Sequence, residues 1–297
     1  MKKALVLGGQ GFIGYNLVKK LLKENFEVKI FEKYINENKK LPNCEYIQGD
    51  FQNIDIYPEI FEEVDVVFHL ISTTTPNKDI SKIQFDIETN LVPTVKLLTL
   101  ACEKNVKKVI FTSSGGTIYG EHDETKIEEN APKFPICAYG INKLAIEKYF
   151  YMFHKLFGLN YSILRLSNPY GENHFSKSQG AINVFIDKIK NNQEIEIWGD
   201  GTIARDYIHI DDVVNALYLS IENNSDEKIF NISSGEATSL NEILNLLKEV
   251  SKKDFKVAYK PSRSFDVKVN CLDNSLAKKV LLWEPKISLK DGIKRFF

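Results

Sequence analysis

The sequence feature that most constrains the fold is a glycine-rich turn between a short apolar strand and an amphipathic helix. Residues 4–7 are all apolar and end at Gly8, a pattern typical of a buried parallel strand. Residues 15–24 repeat apolar side chains with a helical period, and residues 28–32 return to strand character and end on Glu32. Strand, glycine turn, helix and strand in this order predict the first unit of a doubly wound parallel sheet.

The turn also has the properties of a dinucleotide site. Gly8, Gly11 and Gly14 permit a tight turn, a close approach to a pyrophosphate and close helix-to-strand packing. The unpaired N–H groups at the helix N-terminus attract phosphates. Glu32 suits the ribose hydroxyls of an adenosine and repels a 2′-phosphate, so NAD is favoured over NADP, and the adjacent Lys33 softens that preference. The spacing is G-x-x-G-x-x-G rather than G-x-G-x-x-G, and the alternative is a glycine turn without a ligand.

The alternation of strands and helices continues through the first half of the chain. Strands are predicted at residues 44–47, 65–71 and 108–112, and a helix at 90–104. The second half is less regular, with helices predicted at 179–190, 211–222 and 239–252. We therefore predict an α/β protein with a Rossmann-type doubly wound parallel sheet and a smaller α/β substrate-binding domain. The predicted NAD-binding domain is 1–167, with 207–230 returning to it, and the second domain is 168–206 with 231–297.

Composition and charge exclude several classes of protein. The net charge is −1 without long runs of one sign, which argues against a nucleic-acid or membrane partner recognised through bulk charge. The four cysteines are far apart and have no Cys-x-x-Cys spacing, which is typical of free thiols in a reducing compartment. No apolar run approaches the roughly 18 residues of a membrane span, and the N-terminus lacks a signal-peptide pattern. The five histidines share no metal-ligand spacing, so no metal is expected, and we expect a cytoplasmic protein.

Tyr139 and Lys143 form the candidate reactive pair. If the segment is helical, the two side chains lie one turn apart on the same face. An ammonium near a phenol favours the phenolate, which can exchange a proton with a carbinol. The alternative is an ordinary surface pair, since a Tyr-x-x-x-Lys also occurs by chance.

A series of motifs in order extends this interpretation over nearly the whole chain. They are Gly8 to Gly14, Gly49-Asp50, His69-Leu70, Asn90, Ser113-Ser114, Ile118-Tyr119-Gly120, Tyr139 with Lys143, Leu164 to Gly171, Trp198 to Gly201, Arg205 to Asp212, Arg263 to Asp266 and Trp283-Glu284-Pro285. With them the sequence resembles the extended short-chain dehydrogenase/reductase family and, within it, the UDP-glucose 4-epimerase group of NAD-dependent epimerases and dehydratases.

The resemblance implies roles for individual residues. Tyr139 and Lys143 would be catalytic, together with a hydroxyl at the end of the preceding strand. The family's position for this hydroxyl falls on Ser114 when it is counted forward from the strand at 108–112. Counted back from Tyr119-Gly120, the same position falls on Gly115. Thr117 is the other candidate. The implied NAD-binding residues are Gly8, Gly11, Phe12, Ile13, Gly14, Glu32, Asp50, Phe51, Leu70, Ile71, Ser72, Asn90, Tyr139 and Lys143. The implied nucleotide-sugar residues are Ser114, Asn168, Ala181, Ile182, Trp198, Arg205, Arg263, Asp266 and Asn270.

The resemblance implies a 4-epimerase of a UDP-hexose that works through a transient 4-keto sugar. Gly115-Gly116 stands where dehydratases of the family carry an Asp-Glu pair, which argues against water elimination. Ser72 to Thr75 replaces a more common segment, so the sugar contacts there stay open. Asn270 falls at the position that limits sugar size, and its small side chain suggests that UDP-GlcNAc and UDP-GalNAc are accepted with UDP-glucose and UDP-galactose. The alternatives are a one-way nucleotide-sugar reductase or dehydrogenase, and a non-catalytic NAD-binding regulator.

The aromatic-rich segment at residues 149–153 continues the helix that begins near Tyr139. In the resembling family this helix and the one at 90–104 form a dimer through a four-helix bundle. The resemblance therefore implies a homodimer.

Overall fold

A computed structural model describes residues 1–76, 79–122, 126–174, 179–262 and 267–297. The strands are β1 Lys3–Leu7, β2 Glu27–Glu32, β3 Cys44–Gln48, β4 Val66–His69, β5 Lys108–Ser114, β6 Tyr161–Leu166, β7 Asn168–Tyr170, β8 Ile195–Trp198, β9 Ala204–His209, β10 Ile229–Ile232, β11 Ala237–Ser239, β12 Val257–Lys260 and β13 Val269–Asn270. The helices are α1 Phe12–Lys23, α2 Ile83–Asp86, α3 Val92–Glu103, α4 Gly115–Ile118, α5 Ala138–Phe157, α6 Ala181–Lys190, α7 Ile210–Leu219, α8 Leu240–Ser251, α9 Ser275–Leu281 and α10 Leu289–Lys294.

The main sheet has seven parallel strands in the order β10-β6-β5-β4-β1-β2-β3. The order reverses between β1 and β4, which is where ligands of doubly wound sheets bind. The predicted α/β fold is therefore confirmed.

The two faces of this sheet have separate apolar cores, because alternate residues of each strand point to opposite faces. Ala4 and Val6 of β1 pack under α1, α7 and α9, whereas Leu5 and Leu7 pack under α3 and α5. Both cores are sealed by residues with almost no exposed surface, which makes the sheet a rigid support for the loops at its carboxyl edge.

A second sheet carries the less regular half of the chain. Its central strand β9 pairs with β11 in antiparallel orientation and with β7 and β13 in parallel orientation. A separate parallel pair is formed by β8 and β12. Helices α6, α8 and α10 pack on these strands around a third apolar core.

The chain passes between the two sheets more than once. Strand β10 joins the main sheet and ends at Ile232, two residues beyond the boundary predicted at residue 230, and α9 with Trp283 packs on the main-sheet core. The division into 1–167 with 207–230, and 168–206 with 231–297, stays a prediction. No helix among the described residues is long and apolar enough to cross a membrane.

Candidate active site

The glycine turn forms a cradle at the N-terminus of α1. Gly8 has a φ of +89°, a conformation that side chains rarely adopt. A Cβ on Gly14 would lie 2.0 Å from the Gly8 carbonyl oxygen, so only glycine fits there. Gly11 caps α1 without a side-chain hydrogen bond, and the first turn has no acidic residue, which leaves the helix N-terminus suited to a phosphate.

Glu32 lies at the carboxyl end of β2, beside this cradle. Its Oε1 accepts a hydrogen bond from the Gln10 backbone N–H at 2.5 Å. Burial raises the pKa of the Glu32 carboxyl, and that hydrogen bond opposes the shift. The Gln10 side chain in turn exchanges two hydrogen bonds with the Asn36 backbone. Gln10 thus ties the residues after β2 to the glycine turn, a role that the sequence pattern did not reveal.

The sequence predicts that Lys33 weakens the preference for NAD over NADP, which requires its ammonium to lie free beside Glu32. In the structure this ammonium is paired with another carboxylate. Its Nζ forms a 2.7 Å ion pair with Asp50. The Asp50 side chain also accepts from the Gln52 backbone at 3.1 Å. The neighbouring Phe51 is buried, with its ring centre 5.0 Å from that of His69. Phe51 can therefore offer its backbone, but not its ring, to a cofactor.

The segment after β4 completes the cofactor side of the crevice. The Leu70 N–H donates to the Leu7 carbonyl at 3.1 Å, and the Ile71 side chain lies against Gly8. The next residues are held by Asn90, whose Oδ1 accepts from the Thr73 N–H at 2.9 Å. The Ser72 hydroxyl donates to the Thr74 carbonyl at 2.9 Å.

Helix α5 carries both members of the predicted reactive pair. Lys143 is 6% exposed, and its Nζ donates to the Thr112 carbonyl at 2.9 Å. The same Nζ lies 5.6 Å from the ring centre of Tyr139 and 4.5 Å from that of Phe111. The ammonium therefore lies beneath the tyrosine, anchored to the end of β5.

The predicted lowering of the Tyr139 pKa by Lys143 is not seen in the protein alone. Burial raises the pKa of Tyr139 to about 12; the hydrogen bond with Ser72 opposes this shift, while the charges of Asp86 and Cys137 add to it. Burial also lowers the pKa of Lys143 to about 8, opposed by Asp86 and Glu147. Desolvation of the two groups exceeds their mutual effect, although Tyr139 keeps part of its surface exposed.

The two candidate hydroxyls near the end of β5, Ser114 and Thr117, and the residues beside them lie in different environments. Ser113 is buried and donates to Glu147, so it has a structural partner. Ser114 is partly exposed and caps α4 without a side-chain hydrogen bond. Gly115 is buried, and a Cβ there would lie 2.3 Å from Leu272. The Thr117 hydroxyl is buried and has no hydrogen-bond partner in the described parts of the chain.

A cavity of about 540 Å³ lies between α6 and the second sheet. Five predicted nucleotide-sugar residues line it together: Asn168, Ala181, Ile182, Trp198 and Arg205. The structure adds Lys188, Glu196 and Tyr207 to the lining, three residues that the sequence pattern did not single out. Ala181 and Ile182 begin α6 behind Gly180, which has no side-chain cap, so this helix N-terminus also opens on the cavity.

Arg205 and Asn270 are neighbours in the second sheet, across the β9–β13 pairing. One Arg205 nitrogen donates to the carbonyl groups of Ala204 and Val267 at 2.9 and 2.6 Å. Asn270 is 2% exposed, and its Nδ2 donates to the Gly115 carbonyl at 3.4 Å. Its Oδ1 is buried and lacks a partner among the residues described. Arg263 and Asp266, also predicted to bind substrate, lie outside the described residues.

His69 packs at the end of β4, as its position in the sequence predicts. It is 1% exposed, its Nε2 lies 2.9 Å from the Thr94 hydroxyl, and burial holds its pKa well below the usual range. Within the described ranges no group of three or more His, Cys, Asp or Glu side chains is placed to hold a metal ion.

Several known proteins are similar to this chain in sequence and in structure. Residues 4–233 match the family described as "NAD dependent epimerase/dehydratase family". A putative UDP-glucose 4-epimerase of Methanocaldococcus jannaschii is 35% identical over 98% of this chain and 96% of its own length. The UDP-glucose 4-epimerase of Thermotoga maritima, solved with UDP-glucose, is 34% identical, with a TM-score of 0.93 over 98% of this chain and 96% of that one. A UDP-N-acetylglucosamine 4-epimerase of Methanobrevibacter ruminantium, solved with UDP-N-acetylmuramic acid, is 27% identical, with a TM-score of 0.92 over 99% and 96%.

Proposed function

Because this chain belongs to the NAD dependent epimerase/dehydratase family, we propose that it is a 4-epimerase of UDP-hexoses. It interconverts UDP-glucose and UDP-galactose through a transient 4-keto sugar, and it is therefore an isomerase that depends on NAD. The observation that carries the proposal is the Tyr139–Lys143 pair at the carboxyl edge of the sheet that also carries the glycine turn. Lys143 donates to the Thr112 carbonyl near the end of β5 and lies 5.6 Å from the Tyr139 ring centre. A cavity with Asn168, Trp198 and Arg205 lies on the second sheet.

The residues present fit NAD. A pyrophosphate suits the glycine cradle, because a Cβ on Gly14 would fill the space there. It also suits the N-terminus of α1, which has no side-chain cap. Glu32 suits the adenosine ribose, and the Asp50–Lys33 ion pair leaves Lys33 less able to bind a 2′-phosphate. Asp50, the Phe51 backbone and residues 70–72 line the same side of the crevice, where Asn90 holds the chain. NAD bound there would supply reversible hydride transfer at C4 of the sugar.

The protein's own residues move the proton. Tyr139 accepts the proton of the C4 hydroxyl and returns it, while Lys143 supplies a fixed positive charge below the phenol. Ser114 holds the sugar O4, since its hydroxyl is partly exposed and has no capping bond. Gly115 and Gly116 provide no acid next to this position, which fits a reaction without elimination of water.

The nucleotide lies in the cavity between α6 and β9. Arg205 presents a guanidinium that suits a diphosphate, and the N-terminus of α6 at Ala181 and Ile182 adds N–H groups. Trp198, 42% exposed, offers a flat face for the uracil. Arg263 and Asp266 keep their predicted roles at the diphosphate and the uridine ribose.

The sugar site accepts an N-acetyl group at C2. Asn270 is small, and its unpartnered Oδ1 lies buried beside Gly115, next to Ser114. A buried acceptor without a donor favours a ligand that donates to it, such as an acetamido N–H. UDP-GlcNAc and UDP-GalNAc are therefore substrates together with the unmodified sugars.

The protein acts as a cytoplasmic homodimer. Helices α3 and α5 contact each other and carry apolar side chains that are exposed in the single chain: Val92, Ile141, Tyr151 and Met152. Exposed apolar side chains on neighbouring helices favour association. The four free thiols suit a reducing compartment.

A product assay tests the function. The purified protein, without added NAD, is incubated with UDP-glucose, UDP-GlcNAc and dTDP-glucose, and the sugars are separated by chromatography. We expect the C4 epimers of the two UDP-sugars and no accumulation of NADH. In a parallel reaction with NAD added in excess, NADH formed in proportion to the sugar consumed would instead identify a dehydrogenase, and cofactor binding without product would identify a regulator.

A further inference from the structure

A buried carboxylate adjoins the reactive pair and has no assigned role. Asp86 ends the short helix α2 and is 3% exposed. A carboxylate this well buried costs free energy unless it is compensated, so its partners need an explanation.

The partners of Asp86 are Thr74 and Asn90. Its Oδ1 accepts from the Thr74 hydroxyl at 2.7 Å and from the Asn90 Nδ2 at 2.8 Å. Asn90 in turn accepts from the Thr73 backbone N–H, and helix α2, which Asp86 ends, packs against α5, the helix that carries Tyr139 and Lys143. The carboxylate therefore fixes residues 73 and 74 from a helix that is packed on that of the reactive pair.

The local backbone brings Asp86 and Asn90 to the same side. Residues Ile87–Leu91 form a single π-helical turn between α2 and α3. Such turns are rare and occur frequently at functional sites, because the extra residue turns side chains in a direction that an α-helix does not allow. Here both polar side chains point at the segment 72–74.

The charge of Asp86 shifts the pKa values of both Tyr139 and Lys143. It raises the pKa of Tyr139 and that of Lys143. The other titratable groups that act on this pair are Cys137, just ahead of α5, and Glu147, one turn after Lys143; His69 at the end of β4 feels the charge of Lys143. Glu147 is already paired with Arg165, which leaves Asp86 as the carboxylate without a cationic hydrogen-bond partner among the described residues near the pair.

We propose that Asp86 is a positioning residue of the reaction: its carboxylate is a buried negative charge next to the helix that carries Tyr139 and Lys143, and it holds residues 73 and 74 in place. This inference rests on the proposed function for its catalytic meaning, but its electrostatic part applies to the protein without substrate. With Asp86 ionised, Lys143 keeps its proton to higher pH and Tyr139 stays protonated until a positive charge is added nearby.

The test is a near-ultraviolet titration of the phenolate of Tyr139 in the wild type and in Asp86→Asn, each against the same protein with Tyr139→Phe. The amide keeps the shape of the carboxylate and one acceptor oxygen for Thr74 and Asn90, and it removes the charge. We expect the pKa of Tyr139 to fall by about one unit, as for removal of one nearby buried charge. Glu88→Gln is the matched control, because Glu88 lies two residues away, is exposed and accepts from Gln84; it should leave the titration unchanged.

The pH dependence of turnover is the second readout. In Asp86→Asn the optimum of kcat should move to lower pH, whereas a purely structural role would reduce kcat at every pH alike. If Asp86→Asn does not fold, as judged by circular dichroism, Asp86→Ser provides a second neutral side chain. A neutral variant that folds and titrates like the wild type overturns the inference even when epimerase activity is present. If the pKa of Tyr139 is lower in Asp86→Asn than in the wild type but neither protein forms an epimer, the result supports the charge role of Asp86 and refutes the proposed function.

Discussion

The Arg165 guanidinium contacts the Glu147 carboxylate with two nitrogens, and both side chains are only 2% exposed. The Nε–Oε1 distance is 3.1 Å and the Nη2–Oε2 distance is 2.7 Å. Arg165 also donates to the Tyr119 hydroxyl at 2.8 Å, and Ser113 donates to Glu147 at 2.6 Å. Because Glu147 lies one turn of α5 beyond Lys143, this pair fixes the helix that carries the reactive residues to β5 and β6.

Removing one partner of this pair should strongly destabilise the protein. Arg165→Met leaves a buried charge on Glu147 without a counter-ion, so the free energy of unfolding should fall by about 3–5 kcal/mol. Chemical denaturation monitored by circular dichroism measures the change. Lys294→Met is the control, because the exposed Lys294–Asp291 pair at 2.9 Å is worth about 0.5 kcal/mol at most. Equal stability of Arg165→Met and the wild type would contradict this account.

Tyr139→Phe should abolish epimerisation with the fold intact. The phenol is the group that exchanges the proton at O4, and positioned acid–base groups contribute about 10²–10⁴-fold to the rate. Initial rates with UDP-glucose and the melting temperature are the measurements. Tyr151→Phe, which removes an exposed hydroxyl from the same helix, should leave the rate unchanged. A Tyr139→Phe rate near that of the wild type would exclude the assignment.

Binding of NAD should lower the pKa of Tyr139. In the protein alone burial raises it to about 12, so the phenol is protonated at neutral pH. A cationic nicotinamide near the phenol favours the ionised form, and the sign of the shift is therefore downward. Titrations of cofactor-stripped and cofactor-loaded protein, each corrected with Tyr139→Phe, give the two values. Identical values would show that the cofactor does not reach the phenol.

Asn270→Tyr should remove activity on acetamido sugars selectively. Asn270 is buried next to Gly115, where a phenol ring would occupy the space of an N-acetyl group. We expect kcat/KM for UDP-GlcNAc to fall by at least about 100-fold, and that for UDP-glucose by much less, because an overpacked pocket rejects the larger ligand first. Asn270→Ser, which enlarges the pocket, is the control that should keep both activities. An equal loss for both sugars would place Asn270 outside the sugar site.

Leu282→Gly should stabilise the protein. Leu282 ends α9 with a φ of +52° and is 86% exposed, so it has backbone strain and little burial to lose. Relief of a left-handed conformation is worth about 1 kcal/mol, or roughly 2 °C in the melting temperature. Leu282→Ala keeps a Cβ and should give no such gain in a thermal scan. A lower melting temperature for Leu282→Gly would show that the side chain has a packing role.

The regular half of the fold was predictable because its signals are local. The apolar runs and helical periods indicated β1 to β5 and the helices between them, and the glycine turn indicated the nucleotide side. The short strands of the second sheet were not predicted. Val269–Asn270 is two residues long and becomes a strand only by pairing with Ala204 and Arg205, more than sixty positions earlier in the chain.

The same limit applies to the site. Tyr139 and Lys143 were found because their spacing is helical, and the structure brings them together. Their pKa values could not be read from that spacing, since desolvation depends on how α5 packs on β5. Gln10 and Asp86 were missed because their partners, Asn36 and Thr74, come from other segments. The spacing of Asp86 and Asn90, four residues apart, was the one signal available.

The pairing of β9 has a consequence for the order in which the protein is made. The neighbours of β9 come from chain positions 168, 237 and 269, so the strand that carries Arg205 stays incomplete until nearly the whole polypeptide has left the ribosome. The six strands that hold the cofactor side are synthesised by residue 166, but one face of their sheet stays uncovered until α7, α9 and Trp283 have been made. Both the dinucleotide side and the sugar-nucleotide side are therefore completed only by the last part of the polypeptide.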